Sequence, residues 1–343
     1  MAISKAILIG FGYHGKNRLF KSLLNLTQVE EILVFARDPS VLSNIEAHIN
    51  GKKIRTTIDP EEMFEYASEE TFVVVGITAK DRLDIVKKIV SRNVKYIYLE
   101  KPLAQSMADC DEMVNIIEKN NVHTAVGFYN DFLILTSNLD RLVRDYRLGE
   151  LLKISSQGGA VCLSTNGLHF IDLANLLFES EPKEILGKVN SRIKNPRGTE
   201  YFLHDGLGYI LYANGEELLL SYNNKSLISP SMTLHFEYGN IEADHDSEFI
   251  HVRGYESDYR DRPKYRYEKP VDIIEIRNDN NFFSFFHTIF SNLLNGGVYC
   301  DIKRAQQAMK VLMGILISDK TGTRLDLPIQ TNHQYYHKKF PIT

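Results

Sequence analysis

The chain has 343 residues, a length that suits about two domains at roughly 150 residues each. Hydrophobic residues at 43%, charged residues at 24% and only 21 Gly and 10 Pro exclude a disordered or collagen-like chain and leave material for a sizeable core. Lys and Arg number 40 against 44 Asp and Glu, so the net charge of −4 gives no electrostatic case for nucleic acid or an anionic membrane as partner. Cys110, Cys162 and Cys300 stand far apart without a Cys-x-x-Cys pair, which excludes a disulfide framework and points to a reducing, cytoplasmic compartment. No export signal or membrane span is legible.

The first third alternates short apolar runs with helix-patterned stretches, the order that builds a parallel sheet with covering helices. Lys5 to Ile9 reads as a strand, Lys16 to Leu26 as a helix, and Glu31 to Ala36 as a second strand closed by Arg37-Asp38-Pro39. Ile54 to Thr57 is a weak strand. Thr71 to Ile77, an uninterrupted β-branched run, reads as a central strand buried on both faces. Arg82 to Ser91 is helical, Val94 to Leu99 a strand, Ser106 to Asn120 a helix and His123 to Gly127 a strand. Beyond residue 128 the texture changes. Leu135 to Tyr146 and Leu168 to Phe178 read as helices around a strand at Leu151 to Ser155. Two-residue alternation with turns at Asn214-Gly215 and Gly239-Asn240 then predicts an antiparallel sheet from Glu184 to Ile276. Asn281 to Leu294 and Asp301 to Ser318 close the chain as helices. The expected fold is therefore α/β: a doubly wound Rossmann domain over 1–128, then an α/β domain over 129–343 with a large, mostly antiparallel open sheet.

Gly10-Phe11-Gly12-Tyr13-His14-Gly15 fits G-x-G-x-x-G between a strand and a helix. Gly10 permits the tight turn, Gly12 lets a pyrophosphate approach the backbone, Gly15 lets strand and helix pack closely, and the helix N-terminus offers free N–H groups to the phosphates. A nicotinamide dinucleotide is the expected cofactor. At the tip of the second strand, Ala36 followed by Arg37 welcomes a 2′-phosphate and favours NADP(H). If instead Asp38 reaches the ribose, NAD(H) is favoured. Glu100-Lys101-Pro102 ends a buried strand, at the sheet edge where open α/β folds hold ligands, and a lysine there can orient a substrate oxygen or exchange a proton with it. Glu268-Lys269-Pro270 repeats the letters in a charged, Tyr-rich stretch that reads as a surface loop, so position is what singles out Lys101.

Together, GFGYHG, VVVGIT, YIYLEKPLA, VGFYNDF, Arg147-Leu148-Gly149-Glu150, Gly167-Leu168-His169-Phe170-Ile171-Asp172 and Thr321-Gly322-Thr323-Arg324 resemble the Gfo/Idh/MocA family, the glucose-fructose oxidoreductase and inositol dehydrogenase relatives, over almost the whole chain. The resemblance implies hydride transfer between nicotinamide and a carbon bearing a hydroxyl or keto group on a sugar, sugar nucleotide or cyclitol. It also implies assembly as a homodimer or homotetramer. By that analogy Gly10, Gly12, Tyr13, His14 and Gly15 form the pyrophosphate cradle, Arg37 lies near the adenosine ribose, and Ile77 and Thr78 line the dinucleotide. Glu100 sits beside the nicotinamide and Lys101 touches the reacting oxygen.

Two departures concern the substrate side. The family's aspartate four residues before the histidine is Thr165 here, which makes His169 the acid/base partner of Lys101, and the family's arginine in G-F-N-x-R-F is Asp131. Tyr129, Asn130, Thr165 and Asn166 are then expected to face substrate. Asp172 is expected to pair structurally. The remaining histidines lack metal-ligand spacing, so no metal site is expected, and the Tyr255 to Tyr267 cluster reads as edge or interface packing. A catalytically silent dinucleotide-binding sensor or assembly protein, and a lyase or hydrolase that recycles NAD, are the alternative functions.

Overall fold

The computed structural model describes residues 3–159, 162–195, 198–244, 249–254, 271–277 and 282–342, with the backbone alone at 199, 271–277 and 282–284. The first sheet comprises β1 (Lys5–Ile9), β2 (Glu31–Phe35), β3 (His48–Ile49), β4 (Lys52–Thr57), β5 (Thr71–Val75), β6 (Tyr96–Leu99) and β7 (His123–Val126), in the order β3-β4-β2-β1-β5-β6-β7. All its pairs are parallel except β3 with β4. In register, Ile9 lies between Phe35 and Val75, and Val75 beside Leu99, so these strands end together along one edge.

The two-residue period of a strand divides its side chains between two cores. Ile7, Ile9, Val73, Val75, Ile97 and Leu99 face one core, shared with α3 (Arg82–Val90) and α4 (Met107–Lys119). Ala6, Leu8, Phe72, Val74, Tyr98 and Ala125 face the other, with the helical segment Gly15–Phe20 and its continuation α1 (Lys21–Leu24). Both flanks of β5 are buried, which is why its sequence is apolar throughout. A further helix, α2 (Pro60–Tyr66), was not read from periodicity, although Asp59 caps it through Glu61 N at 2.9 Å and Pro60 opens it.

The chain from residue 129 on contributes α5 (Ile134–Asp145), β8 (Leu151–Gly158), α6 (Leu168–Phe178), β9 (Pro182–Asn195), β10 (Gly198–Tyr212), β11 (Glu217–Tyr222), β12 (Ser231–Phe236), β13 (Gly239–Asp244), β14 (Phe249–Gly254), β15 (Val271–Arg277), α7 (Phe282–Asn295), α8 (Ile302–Thr321) and β16 (Leu325–Asp326). The second sheet runs β15-β14-β13-β12-β8-β11-β10-β9-β16 and is antiparallel except between β11 and β8. Helices α6 and α8 pack together against it, while α7 returns to the first sheet and buries Phe286, Ile289, Phe290 and Leu293 in the core of Tyr98. The last residues also return: Phe340 N donates to Gln105 O at 2.8 Å and Gln105 Nε2 to Ile342 O at 2.9 Å. The Tyr255 to Tyr267 cluster and Glu268-Lys269-Pro270 lie outside the described residues.

Candidate active site

The glycine turn follows β1 at the edge where the first sheet's strands end. Gly10 takes φ +100°, and a Cβ on Gly15 would stand 2.2 Å from the Gly10 carbonyl, so neither position tolerates a side chain. A Cβ on Gly12 would meet nothing within 4 Å: the space before the turn is open. A cleft of about 230 Å³ runs from it along Phe35, Ala36, Arg37, Asp38 and Ile77. Open backbone at a helix N-terminus, continuing into a cleft along the tip of β2, fits a dinucleotide.

The residues expected around that cofactor divide in the structure. Tyr13 is 83% exposed and points away from the core. His14 turns inward, its Nε2 2.8 Å from Glu100 Oε1 and its ring edge-on to Phe286 at 5.2 Å. Tyr98 donates its hydroxyl to the same carboxylate oxygen at 2.5 Å. Burial pushes the Glu100 carboxyl up, but His14, Tyr98 and Lys101 outweigh it and hold the group below its ordinary value. Arg37, 72% exposed on its side chain, reaches Asp81 Oδ2 at 3.3 Å, whereas Asp38 caps the short turn Pro39–Leu42 through Ser40 N at 2.9 Å. Thr78 accepts a hydrogen bond from Tyr201 of β10 at 3.1 Å, which ties the second sheet to the loop after β5.

Beneath these loops lies a residue that motif reading missed. Arg82, fully buried, donates to the carbonyls of Glu100, Pro102 and Leu103 through one nitrogen and to that of Ile77 through another. It thus joins the Ile77–Thr78 loop to the Lys101 turn, with burial pushing its pKa down to about 10. The Lys101–Pro102 bond is cis. Sequence held one signal for Arg82: a charged residue opening the amphipathic helix that follows a buried strand and its short turn.

Lys101 Nζ donates to the Thr165 carbonyl at 3.4 Å. Thr165 belongs not to a loop but to a π-helical turn, Leu163–Gly167, that continues directly into α6. Its hydroxyl lies 2.9 Å from Cys162 Sγ, and Asn166 is half-buried in the same turn. His169, 5% exposed, sits one turn further, its ring 4.8 Å from that of Tyr129, which stacks in turn on Phe285 at 5.5 Å. Asn130, expected to face substrate, is instead buried as a clamp: its amide donates to His169 O and to Asp172 Oδ2, both at 2.8 Å. Asp172 pairs structurally, accepting Arg304 Nε at 2.9 Å, and Asp131 accepts two further bonds from the same guanidinium, one at 2.8 Å. Burial raises the Asp172 carboxyl despite Arg304 and Asn130. Among the described residues no three His, Cys, Asp or Glu side chains gather as a metal site, and no helix is long and apolar enough to cross a membrane.

The architecture is a Rossmann sheet followed by a second, mostly antiparallel sheet. Residues 4–128 match the family model GFO_IDH_MocA, the oxidoreductase family with an NAD-binding Rossmann fold, as the motifs of that stretch suggested. Glucose-6-phosphate 3-dehydrogenase of Bacillus subtilis is 24% identical over 134 residues, a match spanning 32% of this chain and 38% of that relative. Among solved structures, UDP-N-acetylglucosamine 3-dehydrogenase from Acidithiobacillus ferrooxidans superposes with a TM-score of 0.67 at 13% identity, covering 92% of this chain and 98% of that one. The transcriptional regulator Gal80p from Kluyveromyces lactis superposes with 0.74 at 15% identity, covering 95% and 91%.

Proposed function

We propose that this protein transfers a hydride between a bound nicotinamide dinucleotide and a hydroxyl or keto carbon of a sugar, sugar nucleotide or cyclitol. The observation that carries the reading is the convergence of Lys101, from the first sheet's edge, on the turn that leads to His169 of α6. The dinucleotide, held at Gly10, Gly12 and Gly15 and along Arg37, Ile77 and Thr78, would supply the hydride acceptor or donor. Lys101 presents an ammonium to the substrate oxygen, where it stabilises developing negative charge and exchanges the hydroxyl proton. With Thr165 in place of a carboxylate, His169 is the neighbouring group able to take that proton. Glu100, held below its ordinary value by His14 and Tyr98, sets a negative charge beside Lys101. Thr165, Asn166 and Tyr129 border the substrate.

Arg37 carries our assignment of NADP(H): its guanidinium lines the cleft and offers donors to a 2′-phosphate, whereas the Asp38 carboxylate is engaged by Ser40. Much tighter binding of NAD(H) than NADP(H) would refute that preference. Three buried, unlinked cysteines support a cytoplasmic setting. Leu152, Leu186 and Ile193, exposed on the second sheet, support its use as a homodimer or homotetramer contact.

The test is Lys101→Ala assayed by nicotinamide absorbance across sugars, sugar phosphates, sugar nucleotides and cyclitols. Turnover of the parent that the substitution leaves intact would overturn the mechanism. Gal80p, a regulator of the same fold, makes a catalytically silent dinucleotide-binding protein the second reading; tight dinucleotide binding with no turnover on the whole panel favours it.

A further inference from the structure

Strands β9 and β10, the end of α8 and the chain's last residues enclose a cavity of about 170 Å³ that none of the groups described above occupies. Phe202, Leu316 and Phe340 form its apolar walls, while Arg192, Lys320 and His204 supply its polar groups. In an adjoining surface groove Lys188 joins Arg192 and Lys320, and Asp319, the carboxylate among the groove's described lining residues, accepts one Arg192 N–H at 3.3 Å and lies 3.8 Å from Lys188 Nζ. His204 is 3% exposed, and its Nδ1 lies 3.3 Å from Ser164 Oγ. Burial first, and then Arg192 and Lys320, push its pKa down to about 4, so the imidazole is neutral near pH 7. In the tautomer in which Ser164 donates to Nδ1, Nε2 carries the proton, and no hydrogen-bond partner for it appears among the described residues.

The place of the cavity matters as much as its charge. Phe202 N donates to Pro341 O at 2.8 Å, and Phe340 N to Gln105 O at 2.8 Å, so one wall is pinned to the segment that follows Lys101–Pro102. Ser164, which holds His204, adjoins Thr165, whose carbonyl holds Lys101. At about 30 Å³ of liquid volume per water, the cavity has the room of five or six waters. A tetrahedral phosphate with its ester carbon fits that space.

We propose that this cavity is a phosphate-monoester subsite, in which Arg192 and Lys320 pair with the phosphate oxygens and His204 Nε2 donates a third hydrogen bond. Read as an extension of the Lys101 site, to which His204 is joined only through Ser164, it rests on the oxidoreductase reading and narrows the substrate class to a sugar monophosphate. A free inorganic phosphate would be held by the same chemistry. Calorimetric titration of the full-length chain with inorganic phosphate, and separately with hexose 6-phosphates, reads the subsite without any turnover. Millimolar or tighter binding is expected, weakened at least ten-fold by Arg192→Gln combined with Lys320→Gln at two exposed positions, with thermal melting of the double variant checking that the fold is kept.

Steady-state kinetics then distinguish the two sources. If the phosphate belongs to substrate, the double variant raises KM for a hexose 6-phosphate at least ten-fold and leaves that for the unphosphorylated sugar unchanged. If it is a separate ligand, inorganic phosphate binds without competing with the sugar. Absence of phosphate binding at millimolar concentration, or equal binding by parent and double variant, overturns the proposal. A protein that turns over no sugar yet loses phosphate binding in the double variant refutes the oxidoreductase reading and retains the phosphate site.

Discussion

Replacing Arg82 by methionine removes its hydrogen bonds while keeping most of its bulk. The guanidinium serves four carbonyls, those of Ile77, Glu100, Pro102 and Leu103, and hydrogen bonds from a charged donor contribute about 1.5–3 kcal/mol each. Holding the charge in the interior works against them. The fall of its pKa from the ordinary arginine range to about 10 corresponds to a cost of about 3 kcal/mol. One nitrogen has two hydrogens for three of these carbonyls, so three N–H donors serve the four; at about 2 kcal/mol each, less that cost, about 3 kcal/mol remains for Arg82→Met to forfeit. Urea unfolding should register this as a lower midpoint at unchanged slope. Because the freed carbonyls sit beside Thr78 and Lys101, dinucleotide affinity should fall at least ten-fold as well. Buried charges replaced by apolar groups are sometimes neutral or stabilising. A methionine variant within about 0.5 kcal/mol of the parent, with the same dinucleotide affinity, would place Arg82 in that class and refute its role as the joint between the two loops.

Gly127→Ala should perturb the cofactor site without touching a loop: the new methyl would stand 2.6 Å from the Tyr98 hydroxyl and 3.1 Å from both Glu100 carboxylate oxygens. A cost of about 1–3 kcal/mol and weaker dinucleotide binding are expected, read by thermal melting with and without NADPH; equal melting in both states would contradict this crowding. His204 gives an acid-side prediction. Its folded pKa of about 4 lies below the ordinary 6.5, so the unfolded chain takes up a proton that the native state refuses. The contribution is whole above pH 6.5 and is lost as pH falls toward 4, by up to about 3 kcal/mol. In His204→Gln the urea midpoint should therefore decline less between pH 7 and 4.5 than in the parent. Parallel declines would show that His204 titrates normally.

The Rossmann half was legible because its information is local. β1 falls on the predicted residues, and β5 begins at the predicted Thr71, where each strand's apolar run is a direct consequence of burial on both faces. The glycine turn was legible for the same reason, since steric limits act on single residues. What escaped depends on partners distant in the chain. The inward turn of His14 requires Glu100 and Phe286, the clamp role of Asn130 requires α6, and the docking of residues 340–342 requires Gln105. No period or spacing encodes such contacts. In the turn before His169, Ser164, Thr165, Asn166 and Gly167 all favour loops by local preference; the buried flanks Leu163 and Leu168 make it helical instead.

The departure at position 131 acquires a physical explanation from the far end of the chain. Where the resembled family carries arginine, Asp131 meets a guanidinium supplied by Arg304 in the first turn of α8, and the same guanidinium holds the buried Asp172 that Asn130 also contacts. Burial opposes the Arg304 charge, but the two carboxylates raise its pKa overall. The frame of His169 thus depends on Arg304, a residue with no role in any motif. Arg304→Met strands Asp172 in the interior without a cation and should cost about 3–5 kcal/mol. Asp131→Asn keeps the Arg304–Asp172 bond and should cost about 1 kcal/mol, since a hydrogen bond survives to the amide oxygen. If the network acts as one unit, adding Asp131→Asn to Arg304→Met relieves part of the larger loss, a coupling of at least about 1 kcal/mol in a double-mutant cycle read by urea unfolding. Strictly additive costs, or an Arg304→Met variant as stable as the parent, would mean that α6 holds His169 in place without this network.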